Sequence, residues 1–376
     1  MPVSPAREAA FRILQQVEAG NKFAVDLLQS SRISSLKEAD RRLTTELVMG
    51  VLRWQGDLDH QIESLSERQL GYFDAEVIAI LRMGIFQIRH LESVPKRAAV
   101  NESVELVKTA RKRSAAGLVN AVLRKCKETP LRDRREYLEA ARRSMPPWIL
   151  ERWQRNFGHD CADSIVLASQ SAPRACLRLT ARTGTIGEAD SSQTREALQR
   201  DLERDQVRAV MGKYGRRALW VESGNVFSSA AWREGRVVIQ DEASQLVAEL
   251  VKAKPGQLVL DLCAAPGMKA SLIAEDMREG TIVACDRSLR RMRIKITRAA
   301  WPDDVRLLKV VLDAGQTLPF SMLFDRVLVD APCSGTGTLA RNPEIKWRLG
   351  PEDIPSFAER QARILQRGLE SLARRG

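Results

Sequence analysis

From Pro255 onward the chain alternates short apolar runs with helical stretches, and this alternation constrains the fold more than any other feature. Leu258–Leu262, Thr281–Cys285, Val305–Val311 and Arg326–Val329 are spaced as strands. Between and after them lie a helix from about Lys269, a helix over Leu289–Ala300 and a terminal helix from about Pro351 to Arg374. Strands alternating with helices of about ten to fifteen residues predict a parallel sheet covered on both faces. Ligands of such a sheet bind beyond the carboxyl ends of its strands.

Those strand ends are where the informative residues fall. The first ends in Asp261-Leu262-Cys263-Ala264-Ala265-Pro266-Gly267-Met268-Lys269. Small residues and Gly267 permit a sharp turn and close approach of the backbone to a ligand, and the amides opening the next helix offer donors to a carboxylate. This suits the amino-acid tail of a nucleoside cofactor. The second strand ends at Asp286, 25 residues after Asp261, where an acidic side chain can accept hydrogen bonds from ribose hydroxyls. The third ends near Asp313, placed to reach an adenine amino group. Each aspartate alone reads more readily as a helix N-cap than as a ligand contact, but three at successive strand ends argue for a site.

The fourth strand runs into Asp330-Ala331-Pro332-Cys333-Ser334-Gly335-Thr336-Gly337, and Arg341-Asn342-Pro343-Glu344-Ile345-Lys346-Trp347 follows. A thiol on a Pro- and Gly-shaped loop beside a carboxylate suits covalent addition to an electron-poor ring carbon. A buried structural cysteine is the alternative. Asp330 can hydrogen-bond the amino edge of a cytosine, and Arg341 or Trp347 can support a base taken out of its stack. Trp347 reads equally as a core residue of its loop.

Upstream, residues 1–130 carry apolar positions at helical spacing, such as Leu43, Leu47 and Val51 or Val77, Leu81 and Ile85, and little strand signal. They predict an all-α bundle of about six or seven helices, opening with Ser4 as N-cap and Pro5 at the first helical position. Residues 131–255 read as a small α+β connector, with a basic helix around Arg132–Arg143, another opened by Pro146-Pro147-Trp148, strands at Ala175–Leu179 and Ala218–Val221, and helices at Ser192–Asp205 and Gln240–Val251. Residues 256–376 form the α/β domain.

Sixty Lys and Arg against 48 Asp and Glu give a formal charge of +12, which favours a polyanionic partner. The excess is local: residues 101–150 hold twelve basic and six acidic side chains. Arg111, Lys112, Arg113, Arg124, Lys125, Arg174 and Arg341 are the candidate RNA contacts. The six cysteines are scattered without a C-x-x-C pair and the histidines number three, so neither a disulfide framework nor a metal site is expected. The first residues lack a hydrophobic leader, and the most apolar stretch, Val77–Ile88, is interrupted by Arg82. A cytoplasmic protein with no membrane partner is expected, and a monomer.

Taken together, the segments at 261–267, Asp286, Asp313, 330–337 and 342–347 resemble the Nop2/Sun family of RNA cytosine-5 methyltransferases. Val100-Asn101-Glu102-Ser103-Val104 and Leu118–Arg124 resemble the NusB-like helical domain of its bacterial branch. The resemblance implies a Rossmann-like class I methyltransferase domain, a cytosine in 16S ribosomal RNA as substrate and S-adenosylmethionine as methyl donor. It implies that Cys263, Ala264, Ala265, Pro266, Gly267, Met268, Lys269, Asp286, Asp313 and Asp330 line the cofactor site, with Asp330 and Cys333 catalytic. In the family's chemistry one cysteine adds to C6, C5 takes the methyl group, and a second cysteine, matched by Cys333, assists loss of the C5 proton.

Departures bear on activity. Met268 and Ala270 stand where the family usually has glycine and threonine. The family's nucleophile lies in a Thr-Cys-Ser segment soon after the helix that ends here at Arg374-Arg375-Gly376, and no Thr-Cys dipeptide occurs in these residues. This predicts a C-terminally truncated chain that keeps the pocket without turnover, or one in which Cys333 itself is the nucleophile. A non-catalytic RNA-binding or ribosome-assembly protein is the alternative function. A methyltransferase acting on protein or small molecules is disfavoured, because transfer to nitrogen or oxygen needs no thiol.

Overall fold

The computed structural model describes residues 3–20, 22–128, 133–183, 191–293 and 301–374. The chain forms two compact units, Met1–Pro173 with Gly335–Pro351, and Arg174–Ser334 with Glu352–Gly376.

The first unit is all-α. Seven α-helices lie between Pro5 and Lys125 among the described residues. Pro5 stands at the first helical position as expected, but Ser4 makes no side-chain cap; its hydroxyl accepts from Arg7 Nη1 at 3.0 Å. The helix Ala75–His90 is buried on nearly every side, as a helix apolar all round must be. Glu38–Ser66 lays Leu47, Val51, Leu58 and Ile62 against the same core.

That core does not stop at residue 130. The helices Arg134–Arg143, Pro147–Phe157 and His159–Gln170 contribute Ala140, Ile149, Trp153, Ala162 and Val166 to it, and Met145 joins from the turn between the first two. Their arginines concealed this in the sequence. Arg143 reaches back to pair at 2.7 Å with Asp57, whose side chain is wholly buried, so a basic helix is what this core requires. The compact unit runs on to Pro173.

The second unit holds two four-stranded sheets. The first has β1 (Cys176–Leu179), β2 (Arg208–Met211), β3 (Ala218–Ser223) and β4 (Val237–Ile239) in the antiparallel order β2-β3-β1-β4. Of its strands β1 and β3 match expected ones; β2 opens on Arg208 shortly after a charged helix and β4 has three residues, so neither stands out as an apolar run. The helices Ser191–Arg204 and Glu242–Glu249 lie close to their expected places.

The second sheet is parallel, with β5 (Leu258–Asp261), β6 (Gly280–Asp286), β7 (Val305–Val311) and β8 (Arg326–Leu328) in the order β7-β6-β5-β8. Alternate residues supply opposite faces. Val259 and Ile282 join one core with Ala270, Ile273 and Met277 of the helix Met268–Met277. Leu260 and Val283 join another with Phe324 and Ile364, the latter from the helix Asp353–Glu370. This helix packs close at Gly368, where an added Cβ would lie 2.8 Å from Val329. Of the expected helix Leu289–Ala300 the first turn, Leu289–Met292, is present, and residues 294–300 lie outside the described residues. The chain steps from β5 through β6 to β7 and then returns to the other side of β5, so a topological switch point lies beyond the carboxyl ends of β5 and β8.

Candidate active site

Asp261 closes β5 at that switch point. It is 1% exposed, and neither carboxylate oxygen has a hydrogen-bond partner among the described residues. Burial pushes its carboxyl up to about 7, with Asp330 and Asp286 adding to the rise. Lys269 and the Cys263 amide oppose it, although that amide makes no well-formed hydrogen bond to the carboxylate. An unpartnered buried carboxylate is costly, which makes it a candidate for function.

The turn after Asp261 is fixed at several points. The Ala264 amide donates to the Cys285 carbonyl at 2.8 Å, and the Arg291 guanidinium donates to the Ala265 carbonyl. Gly267 has φ +107°, a conformation that favours glycine, and caps the helix Met268–Met277. Lys269 forms an ion pair with Asp330. Asp286 accepts from the Ser288 amide at 2.8 Å and lies 3.5 Å from Arg291. Asp313 accepts from the Gly315 amide at 2.9 Å in a local turn, and no helix begins there for it to cap among the described residues.

Asp261, Asp286 and Asp330 all act on Cys263, and with burial as the main cause they push its thiol up to about 12. Burial likewise raises Cys285 to about 12. Neither thiol ionises near neutral pH, so neither is a ready nucleophile. Cys333 is exposed, which removes the structural-cysteine reading; its loop is tied down where Gln361 Nε2 donates to the Pro332 carbonyl at 2.9 Å. The expected residues Asp261, Cys263, Lys269, Asp286 and Asp330 thus form one electronegative group.

Arg178 was not expected. It is fully buried in β1, and it donates to Gln240 Oε1 at 2.9 Å, the Met268 carbonyl at 3.1 Å, Ser271 Oγ at 3.0 Å and Glu275 Oε1 at 3.1 Å. Arg217 completes the network through Glu275 at 2.9 Å and Asp276 at 2.5 Å. The sequence signal was a single charge inside the apolar run Cys176-Leu177-Arg178-Leu179. Its effect is to hold the first turns of the helix that follows Gly267.

Among the RNA candidates, Arg111, Arg113, Arg124 and Arg174 are exposed. Lys112 pairs with Asp74 at 2.9 Å and Glu76 at 3.6 Å, and Lys125 with Glu67 at 3.4 Å. Arg341 is half-buried. The segment Gly335–Pro351 belongs to the helical unit. There Glu344 accepts from the Ala24 amide at 2.7 Å, and Lys346, buried with its ammonium pushed down to about 7, donates to the Arg53 carbonyl at 2.7 Å. Trp347 is 37% exposed, so it is not a core residue. No helix among the described residues is long and apolar enough to cross a membrane.

Comparison with known proteins matches residues 4–128 to the NusB family and residues 248–376 to the family described as 16S rRNA methyltransferase RsmB/F. The probable ribosomal RNA small subunit methyltransferase B of Bacillus subtilis is 30% identical, with 100% of this chain and 84% of the relative covered. The ribosomal RNA small subunit methyltransferase B of Thermus thermophilus is 33% identical, with 97% and 80% covered. Among solved structures, PH0851 superposes with a TM-score of 0.76 at 22% identity, over 99% of this chain and 84% of that one. NSun6 from Pyrococcus horikoshii with SFG gives 0.52 at 17% identity, over 61% and 80%. These structural likenesses establish the fold, and the relatives matched along nearly the whole sequence establish the family: this chain belongs to the 16S rRNA methyltransferases of the RsmB/F family.

Proposed function

We propose that this chain binds S-adenosylmethionine at the carboxylate group of Asp261, Asp286 and Asp330 and methylates C5 of a cytosine in small-subunit ribosomal RNA. The observation that carries the reading is Asp261, a buried carboxylate with no partner among the described residues at the switch point of a parallel sheet. Asp261, left without a partner among the described residues beside Asp286 and Asp330, favours a cationic ligand rich in donors. When bound, S-adenosylmethionine supplies a methyl group made electrophilic by its sulfonium. The amides of Met268 and Lys269, freed by the turn at Gly267, take the cofactor's carboxylate. Cys263, Ala264, Ala265 and Pro266 line the same turn. Asp286 receives the ribose hydroxyls and Asp313 the adenine amino group. Asp330 orients the amino edge of the cytosine, and Cys333 would assist loss of the C5 proton from the adduct that a thiol forms at C6, the C6–sulfur bond breaking as the proton leaves. Arg111, Lys112, Arg113, Arg124, Lys125, Arg174 and Arg341 contact RNA phosphates, work that belongs in the cytoplasm.

The test is binding first and transfer second. Asp286→Asn keeps a turn acceptor but loses the charge, and should weaken S-adenosylmethionine binding roughly tenfold by calorimetry. No heat of binding to the unaltered chain would refute the cofactor site. With labelled cofactor and unmodified small-subunit RNA, label belongs at C5 of cytosine; label at nitrogen or oxygen would refute the reaction. With Cys333→Ala, turnover that stops while label collects in a covalent protein–RNA species would keep Cys333 as the group that assists release; loss of label from both product and covalent species would give it the nucleophile's role.

A further inference from the structure

The helical unit contains a cleft of about 250 Å³ that the reading above does not use. Leu14, Val17 and Leu52 supply apolar lining, and Trp347, Glu344 and Glu18 complete the part that bears on a ligand. Glu344 is 2% exposed. One of its oxygens, Oε1, accepts from the Ala24 amide at 2.7 Å, whereas Oε2 is buried with no partner among the described residues.

The cations nearby are committed elsewhere. Lys346 donates to the Arg53 carbonyl at 2.7 Å, and Arg348 to the carbonyls of Val17 at 2.9 Å and Lys22 at 2.7 Å. Arg82 is engaged with Asp59 at 2.6 Å and Glu18 at 3.5 Å. The cleft therefore presents an acceptor that wants a donor, beside an indole that is 37% exposed. A buried acceptor left without a donor is costly, so a ligand that supplies one gains at this point.

Size and chemistry narrow the ligand. Pockets for whole small molecules run from about 300 to 1,000 Å³, so this cleft holds a single flat ring system rather than a nucleotide or a peptide. Carboxylates read exocyclic amino groups of bases, and unpaired bases stack on aromatic side chains. We propose that the cleft takes one unpaired amino-bearing base of the RNA substrate, stacked on Trp347 with its amino group donated to Glu344. Uracil, which turns a carbonyl to the same carboxylate, is disfavoured. The inference rests on the reading of RNA as substrate and adds a second recognition point on the helical unit.

The experiment measures affinity of the whole chain for oligo(C), oligo(A) and oligo(U) of equal length, with Trp347→Ala and Glu344→Gln beside the unaltered protein. Thermal melts are run on all three to confirm that they are folded. Oligo(C) and oligo(A) should bind more tightly than oligo(U). Trp347→Ala should cost roughly tenfold or more on the amino-bearing oligomers. Glu344→Gln keeps an acceptor for Ala24 and should narrow the gap to oligo(U). Equal affinity for the three oligomers, unchanged in both folded variants, overturns the inference while leaving RNA binding intact. Failure of every oligomer and of small-subunit RNA to bind overturns the RNA reading itself. Binding of free cytidine or adenosine that Trp347→Ala abolishes, with RNA affinity unmoved, overturns the assignment to RNA.

Discussion

The unit that carries the parallel sheet holds two groups of charged side chains, one around Arg178 and one around Cys263. In the first, Arg178 and Glu275 are both wholly buried at 3.1 Å, and Arg217 reaches Glu275 and Asp276. Opposite charges are matched and most donors have acceptors, so the network has little left to offer a ligand. In the second, Asp261, Asp286 and Asp330 gather around Cys263; Lys269 pairs with Asp330 and Arg291 lies 3.5 Å from Asp286, but Asp261 has no partner among the described residues. Burial raises the pKa of Asp261, and its two carboxylate neighbours add to that rise. Burial alone therefore does not mark a site. What separates the groups is whether the protein supplies the counter-charge.

The comparison breaks most visibly at Arg178. Replacing it with leucine leaves Glu275 buried with Arg217 alone, and removal of one partner from a buried pair costs about 3–5 kcal/mol. Urea unfolding should show that loss, and leucine at both 178 and 275 should recover part of it, because apolar side chains replace buried pairs at little net cost. A loss under about 1 kcal/mol would mean that the network is not what holds this helix.

Asp261 should behave in the opposite sense. Its folded pKa of about 7 lies above the ordinary carboxylate value near 3.9. The folded state thus holds a proton that the unfolded chain has released, and stability falls as pH rises from about 4 through 7. The slope cannot exceed about 1.4 kcal/mol per pH unit for one group. Asp261→Asn should flatten it, while Glu275, which burial also raises to about 7, acts alike in both proteins and cancels from the difference. Parallel stability curves between pH 4.5 and 7.5 would remove Asp261 from the titrating groups.

Much of this was legible because strand length and chemistry coincide. The apolar runs of β5, β6 and β7 end where Asp261, Asp286 and Asp313 begin their turns, so periodicity and motif pointed to one edge. The network around Arg178 was not legible, since its members come from β1, the β3 end and the helix Met268–Met277, and only folding pairs them. The partners of Glu344 and Lys346, at Ala24 and Arg53, lie 320 and 293 residues away in sequence and were likewise not legible. Helix Arg134–Arg143 was assigned by its arginines, although Ala140 and Ala141 place it in the first core.

The same distinction between matched and unmatched charge makes its weakest prediction at the surface. Lys112 and Arg124 were read alike, as phosphate contacts in a basic region. Lys112 faces Asp74 and Glu76, which raise its pKa and offset its charge, whereas Arg124 is exposed with no ion pair among the described residues. A phosphate gains from a cation only what neighbouring carboxylates have not already taken. Arg124→Ala should therefore weaken RNA binding uniformly across sequences and lower the slope of log affinity against log salt by roughly 0.7–0.9, the share of one phosphate contact. Lys112→Ala should change the slope by less, because the two carboxylates it leaves behind repel phosphate while the cation it removes was partly neutralised. Salt titrations with unmodified small-subunit RNA decide between them, and an equal loss at both positions would show that the ion pairs of Lys112 open when RNA arrives.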